Sequence, residues 1–515
     1  MSEIDGSDYG SDYGSDTVDA VLRLQSLQQG SKAAVVDPAE RIAYDELEVS
    51  TRELSAAFVE AGISKGMRVG LIMPNGVEWV RHALALMRIG VVLVPLSTLL
   101  APREMAAQLR TASVQYLITV DVFRGRRYPG AVDSSLPALR AVWSTGHVAA
   151  LRSTPEAGRI ADAMALGVSA ADPMVILFTS GSSGAPKGVR HSHGSAIGAV
   201  RSGQSARCID ADTRLYVPMP LFWVGGFAGG LMSALISGAT LVTEPIPEPA
   251  STLRLLTRER VTLFRGWPDQ AEALARRLPE SQRELPFLRV GSLDALLPRS
   301  LRARPGARAR LFGMTESFGP YCGYPADTDM PEKAWGSCGK PFDGIEVRIV
   351  DPDSGQMVPR GTSGMIQIRG PHMMAGICRR HREDVFTPDG YYPTGDLGSL
   401  DSDGFLYYRG RSDDMFKVSG ATVYPSEVEQ ALRTVAGVSA AFVTRIPGPE
   451  GDRVGAAVVC ESGCTAEEIR SAARAVLSSF KVPTVWTLLD SEDEVPRGAT
   501  GKVDVSRLRE LIGAP

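Results

Sequence analysis

The chain has 515 residues, more than one compact hydrophobic core holds, so two or more domains are expected. Its 55 basic and 59 acidic residues are interspersed and leave a net charge of −4, which excludes the concentrated basic footprint of a nucleic-acid binder. Six cysteines (208, 322, 338, 378, 460 and 464) lack Cys-x-x-Cys spacing and read as free thiols, and no basic-then-apolar leader is visible, so a soluble cytoplasmic protein is expected.

Residues 6–16 repeat Gly-Ser-Asp-Tyr, too acidic and too poor in apolar groups to offset chain entropy; 1–16 is expected to be a disordered acidic tail. From Leu47 the pattern alternates: an amphipathic helix over 48–61, a buried strand over 69–73, a helix over 77–88 and a strand over 91–95. Such alternation predicts parallel sheets covered by helices, and the same grammar recurs at 197–242 and 253–264. Residues 222–242 contain no charge and could span a bilayer by length, yet their five glycines favour a buried helix, a turn and a strand. Between 335 and 409, short strands split by Gly, Pro and Asp predict a small antiparallel, barrel-like subdomain. Beyond the polar stretch 410–414 come a helix near 425–435, strands near 439–445 and 454–460, and a helix from Thr465. The expected fold is α/β: parallel-sheet subdomains and a small β subdomain over 17–409, then a small α+β domain over 410–515.

One stretch stands out chemically. The apolar strand Ile176-Leu177-Phe178 empties into Thr179-Ser180-Gly181-Ser182-Ser183-Gly184-Ala185-Pro186-Lys187-Gly188. Small residues let backbone N–H groups approach a polyphosphate, hydroxyls donate to its oxygens, and Lys187 adds positive charge. It is not a Walker A loop, because no Gly-Lys-Ser/Thr follows at the required spacing. Glycine and serine alone would also suit a plain surface loop. Against that, only eight of the 55 basic residues are lysines, so Lys187 is not a default surface cation.

This loop resembles the phosphate-binding signature of the adenylate-forming superfamily: acyl-CoA synthetases, peptide-synthetase adenylation domains and beetle luciferases. Four more segments resemble its motifs in the same order: Leu311-Phe312-Gly313-Met314-Thr315-Glu316, residues 392–397 (YPTGDL), 409–420 (RGRSDDMFKVSG) and 496–502 (PRGATGK). The resemblance implies a reaction in which ATP converts a carboxylate into acyl-AMP and the acyl group then passes to the thiol of coenzyme A. Attack of an anion on the α-phosphate calls for cations and oriented donors.

As the resemblance implies, Thr179, Ser180, Gly181, Ser182, Ser183, Gly184 and Lys187 hold the β- and γ-phosphates. Thr315 contacts the α-phosphate and Glu316 ligates Mg²⁺, a hard ion suited to carboxylate oxygen. Phe312 stacks on adenine, with Gly313 and Met314 beside it; Asp396 and Arg411 bind the ribose. Lys502 touches the substrate carboxylate and α-phosphate together. Asp413 is the hinge about which a mobile C-terminal lid turns between half-reactions, and Ser419 and Gly420 line the path of the CoA arm. Taken alone, Thr315-Glu316 could be a helix cap, Asp396 and Gly420 turn residues, and Lys502 a solvated loop lysine.

The acid-binding wall is expected around Phe222, Trp223, Gly225 and Gly226, where many acyl-CoA synthetases place histidine at the position of Trp223. Glycines there, with Gly229 and Gly230, give up volume or merely allow close packing; the aromatics give apolar surface. The absence of charge argues against an amino acid and for a large apolar acid. Ser292-Leu293-Asp294 also departs from the family's small-residue pattern. Alternatives are an enzyme loading a free-standing carrier protein, a luciferase-type oxygenase and a non-catalytic binding protein.

Overall fold

The computed structural model describes residues 16–128, 136–179, 187–266, 268–277, 285–412, 416–418, 421–423, 425–448, 452–460, 465–477, 481–498 and 503–513. Two compact units divide the chain: Met1–Glu346 with Arg369–Pro388, and Val347–Ile368 with Asp389–Pro515. The boundary read from sequence, 409/410, falls inside strand Leu406–Arg411 of the second unit. Of the expected tail only Asp16 is described, and its carboxylate pairs with Arg201 at 2.5 Å; residues 1–15 lie outside the described residues.

In the first unit, Val77–Arg88 is buried along almost its whole length, with Trp79, Val80, Ala83 and Leu84 in the main core. Around it lie two sheets. The seven-stranded sheet runs Gly376–Ile377, Lys187–Ser192, Pro173–Thr179, Val92–Pro95, Arg68–Ile72, Tyr116–Thr119, Ala141–Ser144; its last five strands pair in parallel. The five-stranded sheet orders Leu263–Phe264, Arg214–Tyr216, Thr240–Val242, Ala33–Val36 and Arg41–Ala43, with the first four in parallel. Strands buried on both faces read as continuous apolar runs, which is why MVIL (174–177) and VGLIM (69–73) carry no alternation.

The uncharged run resolves as expected. Short helical segments fill Val224–Ser237, Gly238 turns the chain with φ +68°, and Thr240–Val242 enters the sheet. Among the described residues no helix is long and apolar enough to cross a membrane.

In the second unit, Glu346–Val350, Gly364–Arg369, Tyr392–Leu400 and Leu406–Arg411 form a four-stranded sheet in that order. This sheet and the three-stranded sheet of Phe312–Met314, Gly319–Gly323 and Lys340–Pro341 are the small β elements of the chain's middle part. Further on, Val438–Ile446 pairs antiparallel with Arg453–Cys460, which pairs in parallel with Val485–Leu489. Period-two alternation covers both faces. Ala456 and Val458 pack with Leu432 and Ile469, while Ala457 and Val459 pack with Leu508 and Ile512.

Candidate active site

The candidate phosphate loop is flanked by two paired strands. Pro173–Thr179 and Lys187–Ser192 pair antiparallel with Lys187 opposite Thr179 and Gly188 opposite Phe178, so both ends of the loop are fixed in register. Ser180, Gly181, Ser182, Ser183 and Gly184 lie outside the described residues. Gly188 keeps the hairpin base tight: a Cβ there would stand 3.1 Å from both Cys378 Sγ and Ile176 Cγ2.

Strand Phe312–Met314 pairs with Gly319–Gly323, and the reversal between them holds Thr315 and Glu316. The turn is tight enough to demand particular residues. A Cβ on Gly313 would lie 2.1 Å from the Gly319 carbonyl oxygen and 2.4 Å from Pro320 Cα, and backbone cannot yield as a side chain can. The left-handed Phe318 (φ 52°) is anchored by aromatic neighbours, and Ser317 Oγ donates to the carbonyls of Gly319 (2.7 Å) and Met314 (3.1 Å). Phe312 is part-buried with its ring 5.5 Å from Tyr321; Glu316 is buried and its carbonyl accepts from Met374 N at 2.9 Å.

His191 ties the two motifs together. It lies on the loop's own strand, on the same face as buried Val189, and its Nε2–H donates to the Thr315 carbonyl at 2.7 Å. Burial pushes its pKa down to about 4, so the ring is neutral at physiological pH and holds the turn through a donor alone. Sequence reasoning missed this residue. Its signal was the period-two position inside a strand that directly follows the loop.

The wall 222–230 is positioned by Asn75, whose amide donates to the Met219 carbonyl (3.0 Å) and whose oxygen accepts from Leu221 N (2.8 Å). Phe222 is buried against half-buried Trp223, ring centres 5.3 Å apart at 81°. Phe227–Met232 forms a wide π-type turn, a feature that recurs at functional sites. Phe227 contacts Trp79 and Phe318, both at 5.8 Å, which puts the wall beside the Thr315-Glu316 turn. The glycines divide. Gly226 serves close packing, because a Cβ would meet Pro220 O at 2.2 Å and Met219 O at 2.7 Å; Gly225 faces Met219 Sδ at 2.9 Å. Gly229 faces open space, with nothing within 4 Å of a Cβ position. Asp294 is exposed and opens a single helical turn, Asp294–Leu296.

Within the second unit, Asp396 and Arg411 are directly opposite in register, and Arg411 Nη1 bridges Asp396 Oδ1 (3.1 Å) and the Thr394 carbonyl (2.8 Å). Gly395, at φ +74°, leaves room for that guanidinium, since a Cβ would approach Arg411 Nη2 to 2.8 Å. Asp413, Ser419, Gly420 and Lys502 lie outside the described residues.

Comparison with known proteins decides the family. The model for "AMP-binding enzyme" matches residues 22–378, and that for "AMP-binding enzyme C-terminal domain" matches 427–502. The chain belongs to the AMP-binding enzyme family. It is 30% identical over 521 positions to a 7a-methyl-1,5-dioxo-octahydro-1H-inden-4-yl propanoyl:CoA ligase of Mycobacterium tuberculosis (strain ATCC 25618 / H37Rv), covering 96% of this chain and 99% of that protein. It is 29% identical to the 3-hydroxybenzoate–CoA ligase of Aromatoleum sp. (strain CIB), covering 95% of each. The fold matches the crystal structure of the anthranilate CoA ligase AuaEII in complex with anthranoyl-AMP, with TM-score 0.82, 23% identity and coverage of 96% and 97%. This AMP-binding enzyme therefore sits in the acyl-CoA synthetase branch of the adenylate-forming superfamily.

Mg²⁺ fits the donors present. Among the described residues no group of three or more His, Cys, Asp or Glu could hold a metal alone. Glu316 supplies one buried carboxylate, which suits an ion held mainly by nucleotide phosphates and water.

Proposed function

We propose that this enzyme is an ATP-dependent acid–CoA ligase acting on an acid with a bulky apolar body. The observation that carries the reading is the His191 bond to Thr315, which fastens the phosphate-loop hairpin to the Thr-Glu turn in one rigid frame. In the first half-reaction a carboxylate oxygen attacks the α-phosphorus of ATP and pyrophosphate leaves. In the second the CoA thiol, losing its proton, attacks the acyl carbon, and AMP departs with the bridging oxygen.

Thr179 and Lys187, with Ser180, Gly181, Ser182, Ser183 and Gly184, hold the β- and γ-phosphates; Thr315 donates to the α-phosphate. Glu316 would hold Mg²⁺ together with the phosphates, and the ion would supply positive charge against that of the departing pyrophosphate. Phe312 with Gly313 and Met314 receives adenine, and Asp396 accepts from the ribose hydroxyls while Arg411 orients it. Lys502 neutralises charge between carboxylate and α-phosphate. Asp413 is the hinge that turns the 410–515 lid, and Ser419 and Gly420 then guide the CoA arm. Phe222 and Trp223 supply apolar surface for the acid, and Gly229 supplies room. Cytoplasmic placement belongs to the same reading, since ATP and CoA are its substrates.

The test offers ATP and a panel of carboxylic acids with CoA, with a purified acyl carrier protein, or with oxygen alone. AMP together with acyl-CoA is expected. Transfer only to the carrier protein, or light only with oxygen, would replace this reading.

A further inference from the structure

Two arginines in the first unit carry donors that no carboxylate among the described residues takes up. Arg207 closes the short helix Gln204–Arg207 and is only 3% exposed. Its Nη1 donates to the Val200 carbonyl at 2.9 Å, but Nε and Nη2 are buried without a partner. Arg265 Nη2 donates to the Arg207 carbonyl at 2.8 Å, and its Nε is likewise buried and unpaired. Asp327 is an acid whose charge Arg265 feels, yet that carboxylate is engaged by Thr328 and Cys208. Burial presses both guanidinium pKa values down to about 10, and the charge of Arg265 adds to the pressure on Arg207. The Phe342 ring lies 6.0 Å from Arg207 Cζ and offers its π face, but no counter-charge; burying cations without a bonded carboxylate is costly, so the pair is matched to an anion that arrives from outside the chain.

Their location indicates which anion. Arg207 Nη2 lies 3.9 Å from the Cβ position of Gly319, a position that is 3.6 Å from Ala228 Cβ. Gly319 closes the turn that bears Glu316, and Ala228 belongs to the acid-binding wall. At φ +112°, Gly319 disfavours a side chain, and its lack of one lets the turn and Ala228 stand this close to the guanidinium. Arg265 follows Phe264 at the carboxyl end of a parallel strand, the edge at which α/β sheets bind ligands. The free edge of Arg207 is Nε with Nη2, two parallel donors spaced for the two oxygens of one carboxylate.

We propose that Arg207, supported by Arg265, binds a second carboxylate at the far end of the substrate, so that the acid activated here is a dicarboxylic acid with an apolar middle. This rests on the acid–CoA ligase reading and narrows its substrate class. The uncharged run 222–230 receives the middle of the molecule, and the arginines receive the end that is not adenylated.

The experiment pairs each diacid with its neutral isostere: straight-chain diacids of four to twelve carbons against monoacids of the same length, and benzene-1,4-dicarboxylate against 4-methylbenzoate. Acyl-CoA formation gives kcat/KM for wild type, Arg207→Met and Arg265→Met, and calorimetric titration of the same acids without ATP reads binding apart from turnover. At least one diacid is expected to exceed its monoacid by roughly tenfold or more in kcat/KM, mostly through KM, and Arg207→Met should erase that preference, the diacid falling to the level of its monoacid on the same variant. Arg265→Met, which leaves the buried Arg207 side chain in place, should weaken the preference in the same direction and guards against a merely misfolded Arg207→Met. If monoacids turn over and no diacid is preferred at any length, the subsite is overturned and the ligase reading stands. If a diacid binds, loses binding in Arg207→Met and yet forms no thioester, the subsite stands and the ligase reading falls.

Discussion

Replacing His191 by glutamine should flatten the acid limb of the stability curve. His191 and His193 are both buried and neutral, each with its pKa pushed by burial to about 4 from an ordinary 6.5. In the unfolded chain the same rings bind protons near 6.5. Between that value and about 4 the unfolded state therefore holds more protons, and stability falls as pH drops through this window and is intact above it. At about pH 4.5 each ring removes about 2.5 kcal/mol relative to neutral pH, so the two together remove about 5 kcal/mol. That is a large share of the roughly 5–15 kcal/mol by which a domain is stable. Glutamine keeps an N–H for the Thr315 carbonyl but has no proton to gain, so His191→Gln should recover about half of the acid loss. Urea unfolding of wild type and variant from neutral pH to about pH 4.5 reads the difference, and carboxylates common to both cancel. A variant with the wild-type pH slope would refute the placement of a neutral, buried His191.

Gly313→Ala forces a Cβ into the Gly319 and Pro320 backbone; it should cost about 1–3 kcal/mol of stability and, by displacing Thr315, lower the adenylation rate more than nucleotide affinity, as pyrophosphate exchange and thermal melts would reveal. Trp223→Ala should shift kcat/KM by roughly tenfold towards bulkier acids, and unchanged selectivity would return Trp223 to a purely structural role. Lys502→Ala should abolish acyl-AMP formation while sparing thioester formation from supplied acyl-AMP and CoA; equal loss of both would defeat its assignment to adenylation alone.

The elements were legible wherever periodicity was strong. Val77–Arg88 was read to the residue because its apolar positions recur at helical spacing, and Arg68–Ile72 and Val92–Pro95 to within one because buried strands leave near-continuous apolar runs. The ordered motifs gave the family, since Gly313 is tied to a close backbone approach and Gly395 to the room that the Arg411 guanidinium needs. What the sequence withheld came from long-range contact. Nothing near His191 in the chain announces Thr315, 124 residues away. Arg207 and Arg265 look like two ordinary cations among many until folding buries Arg207 Nε and Nη2 and Arg265 Nε with no carboxylate bonded to them among the described residues. Gly226 and Gly229 are indistinguishable as letters, yet one abuts backbone and the other faces open space.

The central claim, that a carboxylate oxygen attacks the α-phosphorus and leaves with AMP, is tested most directly by isotope transfer. An acid that the enzyme turns over is labelled with ¹⁸O in both carboxylate oxygens and incubated with ATP, Mg²⁺ and CoA, and the products are weighed by mass spectrometry. The account predicts one labelled oxygen in AMP, the other in the acyl-CoA carbonyl and none in pyrophosphate; label in orthophosphate, with ADP as the nucleotide product, would contradict it.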